Sequence, residues 1–112
     1  MRFINIDING KIDNKEPFFL KGTKGQGMLA NVKYEELVRV FGQPNGSTDG
    51  NKIDAEWVVF TPAGIASIYN YKDGENYLGE SGQKVKDIES WHIGGKTPEV
   101  LGWIKKALGL EA

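Results

Sequence analysis

The residues best suited to chemistry lie together in Trp91-His92-Ile93-Gly94-Gly95-Lys96-Thr97-Pro98. The segment reads as a strand that passes through a glycine turn into a capped helix. The first N–H groups of a helix have no partner within it, and the helix dipole favours an anion there. Gly94 and Gly95 would let a ligand approach the backbone, while Lys96 would add charge and Thr97 a hydroxyl. Such a turn could cradle a phosphate. It is not a Walker A loop, because the first glycine of G-x-x-x-x-G-K-[ST] would have to be Ser90. The competing reading is a tight strand-to-helix turn that needs its glycines for geometry alone.

A second cluster is Tyr69-Asn70-Tyr71-Lys72, with Asn76-Tyr77 a few residues on. Tyrosines on one strand face offer planar surfaces for stacking a base, and Asn70 could read a base edge. The plainer reading is a half-buried sheet face, since sheets favour tyrosine anyway. His92 is the only histidine. It could act as a general base, or bond a backbone carbonyl in a purely structural role.

A catalytic centre is harder to assemble. The chain has no cysteine, which excludes disulfides and thiolate metal sites. Asp54, Glu56 and Asp73 show no metal-binding spacing, and no metal or cofactor is expected. Asp54 and Glu56 alternate along one strand and could pair as carboxylates, or simply line a solvated edge. No serine occupies a G-x-S-x-G elbow. Trp57 and Trp103 read as core residues. The balance favours binding over catalysis.

These candidates need a scaffold. Ile4, Ile6 and Ile8 alternate with polar residues, and Asn9-Gly10 is a strong hairpin signal. Residues 1–15 thus read as a hairpin that could be a peripheral arm. Pro17 to Leu20 and Met28 to Val32 read as short strands. Tyr34, Leu37, Val38 and Phe41 fall on one helical face, closed by Gly42 and Pro44. Asp54 to Phe60 and Ile65 to Tyr71 form the strongest β region, joined by the turn Thr61-Pro62-Ala63-Gly64. Lys72 to Glu89 reads as a long polar loop. After the strand at Ser90 to Ile93, Thr97 is a good N-cap and Pro98 suits the first helical position. Val100, Leu101, Ile104 and Leu108 supply that helix's buried stripe. The expectation is an α+β fold: an antiparallel sheet of about five or six strands with two helices packed on it.

The 112 residues fit one domain, with residues 28–108 as its core. Fourteen Lys and Arg against fifteen Asp and Glu give a net charge of -1. That lacks the basic excess of a duplex-binding domain. No apolar run is long enough to span a bilayer, and no signal core follows Met1, so a cytoplasmic protein is expected.

Several segments resemble a largely uncharacterised family of small proteins encoded by tailed phages. They are Leu37-Val38 to Phe41-Gly42-Gln43-Pro44, Asp54-Ala55-Glu56-Trp57, Ile68 to Gly74, Asn76-Tyr77 and Trp91-His92-Ile93-Gly94-Gly95. The likeness covers residues 28–108, and Trp-His-Ile-Gly-Gly is its most specific piece. The hairpin at residues 1–15 looks like an addition. The resemblance implies an infected bacterial host cell, where small phage proteins often act against defence. The leading expectation is a non-enzymatic sponge for a nucleotide-derived messenger, a cyclic oligonucleotide or an ADP-ribose derivative. Phosphates would sit on Gly94, Gly95, Lys96 and Thr97. A base would stack on Tyr69, Tyr71 or Tyr77 with Asn70 reading its edge, His92 would donate a hydrogen bond to a phosphate or ribose oxygen, and Lys72 and Trp91 would complete the site. A homo-oligomer would suit such a site. One alternative is a protein-binding inhibitor of a host defence complex, using the isoleucine face of the hairpin. Another is a small nucleotide hydrolase using His92 with Glu56 or Asp54.

Overall fold

The computed structural model describes residues 4–14, 24–46 and 53–110. They form an α+β fold. Its strands are β1 (Ile4–Ile6), β2 (Ile12–Asn14), β3 (Lys24–Leu29), β4 (Glu56–Thr61), β5 (Gly64–Tyr69) and β6 (Trp91–Gly95). They lie in one sheet in the order β2-β1-β4-β5-β6-β3. Four of them, β4-β5-β6-β3, make a continuous antiparallel unit. β1 then joins β4 in parallel and carries β2 on its outer side. The sequence led to an antiparallel sheet throughout, and the parallel β1–β4 contact departs from that expectation.

The helices are α1 (Tyr34–Phe41), α2 (Glu75–Leu78) and α3 (Glu99–Ala107). The expected two are α1 and α3. The third, α2, is a single turn inside the stretch read as a loop, followed by two 3-10 turns. Among the described residues, no helix is long and apolar enough to cross a membrane.

Strand alternation sorts the side chains into two faces. Ile4, Ile6, Trp57, Val59, Ala66, Ile68, Trp91 and Ile93 point to one side, where Leu37 and Phe41 of α1 and Val100 and Ile104 of α3 cover them. The other face carries a small cluster of Val58, Phe60 and Ile65. Ile4 and Ile6 are thus core residues, and only Ile8 of the three isoleucines is exposed. The expected isoleucine docking face is not formed. The Asn9-Gly10 hairpin is present: Gly10 takes φ 81°, and Asp7 bonds the turn through its carboxylate and backbone. The strand expected at Met28 to Val32 lies earlier, at β3. Its pairing with β6 slips at Gly25 to Gly27. The strand expected over Pro17 to Leu20 lies outside the described residues.

Trp57 and Trp91 fix α1 to the sheet. Both are fully buried, and their rings meet edge to face at 5.5 Å. Tyr34, in the first turn of α1, packs against both. A buried indole N–H needs an acceptor. Trp91 Nε1 donates to the Val32 carbonyl at 2.8 Å, and Trp57 Nε1 donates to the Gly42 carbonyl at 2.9 Å. One indole therefore holds the chain just before α1 and the other just after it. Trp91→Phe keeps most of the ring but leaves the Val32 carbonyl without this donor. Urea unfolding should show a loss of about 1–3 kcal/mol with the fold retained. An unchanged midpoint would mean that the indole bond carries nothing.

A candidate ligand-binding face at the end of the central sheet

β6 carries candidate residues at both ends, and the two ends have different surroundings. Near its start, His92 faces away from the helices, with Tyr69 of β5 on one side and Met28 of β3 on the other. The Tyr69 ring stacks on the imidazole at 5.5 Å with 18° between the planes. Tyr71 lies just past the end of β5 and meets the same imidazole edge-on at 5.9 Å. The Lys72 ammonium then sits 5.3 Å from the Tyr71 ring centroid and 5.5 Å from that of Tyr77 in α2. The structure thus brings together Tyr69, Tyr71, Lys72, Tyr77 and His92.

A buried amide sets this arrangement. Asn70 has no solvent exposure. Its Oδ1 accepts from the backbone N–H groups of Asp54 and Ala55, and its Nδ2 donates to the carboxylates of Asp54 and Asp73. Asp54 also accepts from the Asn76 N–H at the start of α2, and the Asn76 side chain donates to the Ile53 carbonyl. The end of β5, the approach to β4 and the start of α2 are thereby tied together. Lys72 lies inside this knot with φ 60°. A left-handed backbone is uncommon for a residue other than glycine, asparagine or aspartate.

Tyr69 also feels its surroundings. Desolvation pushes its phenol above the usual tyrosine value, with further upward pressure from the charges of Glu56 and Tyr71.

Several sequence expectations are corrected here. Asn70 is saturated by protein partners and does not reach a base edge. Trp91 is core, with its N–H used by Val32. Gly94 and Gly95 belong to β6 rather than to a turn. Both are buried and paired on both sides, Gly94 with Ser67 and Gly25, Gly95 with Ala66 and Lys24. Their backbone is committed to the sheet, and the Gly95 carbonyl also accepts from the Gln26 side chain. Gly95 exists for packing: a Cβ there would stand 2.5 Å from Val100 Cγ2, so its absence lets α3 settle on the sheet. Thr97 makes no capping bond, and Pro98 takes the cap position. The N–H groups of Val100 and Leu101 are already bonded to the Thr97 and Pro98 carbonyls, and Glu99 puts a carboxylate in the first turn. A negative side chain there satisfies the helix dipole and opposes an anion. Lys96 is exposed beside this end. It lies four residues along the strand from His92, about 13 Å away. The phosphate cradle is not formed, and its residues do not meet the tyrosine cluster.

The acid–base arrangements fare no better. Asp54 accepts hydrogen bonds from Asn70 and Asn76, which commits its carboxylate to the end of β5 and the start of α2. Glu56 stands opposite Tyr69, and Tyr69 opposite His92, so two strand spacings of about 10 Å in total separate Glu56 from His92. Among the described residues, no group of three His, Asp or Glu side chains is placed to hold a metal ion.

Sequence reasoning missed Met28 and Leu78, both exposed near the cluster. Met28 became visible only through its register opposite His92. Leu78 would have followed from reading Glu75 to Leu78 as a helical turn. Comparison with protein-family models, curated proteins and solved structures returned no match.

Three outcomes follow for these residues. Asn70→Ala leaves the buried Ala55 N–H and the part-buried Asp54 N–H without this acceptor and should cost about 1–3 kcal/mol in urea unfolding. A change below the measurement error would overturn the role given to its amide. Gly95→Val should destabilise the protein by about 1–3 kcal/mol through overpacking against Val100. An unaltered unfolding midpoint would mean that α3 is not seated as described. The raised phenol of Tyr69 favours the neutral form in the folded state. Its contribution is therefore complete below the unfolded value of 10.0 and is lost as pH climbs through the folded value. Tyr69→Phe should flatten the fall in stability above pH 10 seen by thermal melts, and an identical alkaline profile would contradict the assignment.

Proposed function

We propose that the protein is a binding protein that holds a nucleotide-derived small molecule without turnover. In this reading the base stacks against Tyr71 or Tyr77, with His92 beside it and the Lys72 ammonium meeting a phosphate. The observation that carries the proposal is the convergence of three tyrosines, the only histidine and one lysine at the end of the sheet. Two of those rings, Tyr71 at 40% and Tyr77 at 42%, are exposed. Aromatic faces accept any base, and each stack is worth about 1–3 kcal/mol. An ammonium supplies the charge for a phosphate. The left-handed backbone of Lys72 adds support, because strained residues gather where function requires them. The proposed setting is the cytoplasm of a phage-infected bacterium, on the strength of the resemblance over residues 28–108. The role there is to withhold a cyclic oligonucleotide or ADP-ribose derivative from host defence.

The enzymatic alternative has less support, since among the described residues Glu56 stands two strands away from His92 and Asp54 is held by Asn70 and Asn76. A protein-binding role is the second reading. Met28 and Tyr71 are exposed beside His92, and Tyr77 and Leu78 are exposed on α2, and exposed apolar patches often mark docking surfaces.

Native mass spectrometry with cyclic di-AMP, cyclic di-GMP, cyclic tri-AMP and ADP-ribose tests the proposal. Binding of one of these at integer stoichiometry, with the ligand recovered intact, is the expected result. A cleaved ligand would make the protein an enzyme, and no binding across the panel would shift the case to a protein partner. Lys72→Gly separates binding from folding. Glycine relieves about 1–2 kcal/mol of left-handed strain and forfeits two cation–π contacts of about 0.5–1 kcal/mol each. Folding stability should stay within about 1 kcal/mol of the original while affinity falls about tenfold or more. Undiminished affinity in Lys72→Gly would remove the lysine from the site.

A further inference from the structure

The outer side of α3 presents a second surface. Glu99, Gly102, Trp103 and Lys106 line a shallow groove of about 350 Å³. Their spacing of i, i+3, i+4 and i+7 places them on one helical face. The Lys106 ammonium rests 5.2 Å from the Trp103 ring centroid, and Trp103 is only partly buried.

Gly102 is the unexpected member. Glycine weakens a helix interior because it loses the most conformational freedom on folding. Among the described residues nothing calls for its missing side chain. A Cβ at Gly102 would meet no atom of theirs within 4 Å, and its φ is not in the left-handed range. Gly95 shows the contrast, since its missing side chain makes room for Val100. A surface glycine in mid-helix makes sense where another backbone or ring comes close from outside.

The charges say what comes close. Glu99 and Lys106 flank Gly102 and Trp103 at either end of the groove, two helical turns or about 10 Å apart. A second copy laid antiparallel across this face, on a two-fold axis between Gly102 and Trp103, would meet it in register. Each Glu99 then faces the second copy's Lys106, and each Trp103 ring lies over the second copy's Gly102. A parallel arrangement would instead oppose like charges at both ends. A face that complements itself under two-fold rotation is the requirement for an isologous dimer.

We propose that α3 is a homodimer interface, built by antiparallel packing of Glu99, Gly102, Trp103 and Lys106 against the same residues of a second copy. The interface is small. Two nine-residue helices in crossed contact bury less than the ~1,200 Å² at which stable interfaces begin, so the dimer forms and dissociates with concentration.

Sedimentation velocity on the full chain, from low micromolar to submillimolar concentration, tests this. The original protein should shift from monomer to dimer over that range. Glu99→Lys alone and Lys106→Glu alone should each weaken association about tenfold, because each puts like charges face to face. Mixing these two variants should restore it, since the antiparallel heterodimer again pairs opposite charges at both ends. Gly102→Leu should abolish association while circular dichroism and thermal melting show a folded chain, as its side chain has open space in the monomer. A protein that stays monomeric throughout would overturn the proposal. So would a dimer indifferent to both reversals, or a mixture that associates no better than its parts.

Discussion

A primary amide with no solvent exposure must find hydrogen-bond partners for its oxygen and nitrogen or forfeit their hydration. Asn70 finds four, in Asp54, Ala55 and Asp73. The arrangement leaves the chain little freedom where β5 ends. Tyr71 has to emerge beside His92, and Lys72 has to turn through a left-handed conformation. Asp54, drawn in by Asn70, then accepts from the Asn76 N–H in the turn that presents Tyr77. Of the residues in the proposed site, Tyr71, Lys72 and Tyr77 are exposed and would otherwise sample many rotamers. Their order comes from the hydrogen bonds of the buried Asn70 beside them. The knot accounts for how a run of otherwise loop-like sequence, Lys72 to Leu78, can hold an aromatic and cationic surface in one geometry.

The opposite end of β6 shows why glycines near a helix start are ambiguous. Gly94-Gly95-Lys96-Thr97 has the composition of an anion cradle, yet the glycines are consumed by packing. Gly95 lies under Val100, and Gly27 of β3 lies 3.1 Å from Leu101 where a Cβ would stand. Glycines in two adjacent strands therefore let α3 sit close to the sheet. No local feature distinguishes this from a ligand loop. The difference lies in which residues face the glycine across the fold.

Much of the scaffold was legible because its signals are local. The stripes of α1 and α3, the Asn9-Gly10 turn, the central hairpin and the burial of Trp57 all follow from spacing and turn chemistry. What escaped depends on register. β3 has little strand propensity at Gly25-Gln26-Gly27 and is held by pairing with β6 through an irregular step. The parallel contact of β1 with β4 brings together residues more than fifty positions apart. Of the candidate site, the tyrosines, Lys72 and His92 were recognisable by type and converge in space. Asn70 and Trp91 were misread because a polar or aromatic side chain looks the same in sequence whether it serves a ligand or the interior.

Ligand chemistry is proposed to reside at the tyrosine–histidine end of the sheet and not at the glycine end. The most direct measurement is two-dimensional amide NMR of the labelled protein, titrated with cyclic di-AMP, cyclic di-GMP, cyclic tri-AMP and ADP-ribose in turn. Saturable shifts are expected for Tyr69, Tyr71, Lys72, Tyr77 and His92 with at least one of them, while Gly94 to Thr97 stay in place. Shifts centred on Gly94 to Thr97, or none at any residue with the whole panel, would contradict it.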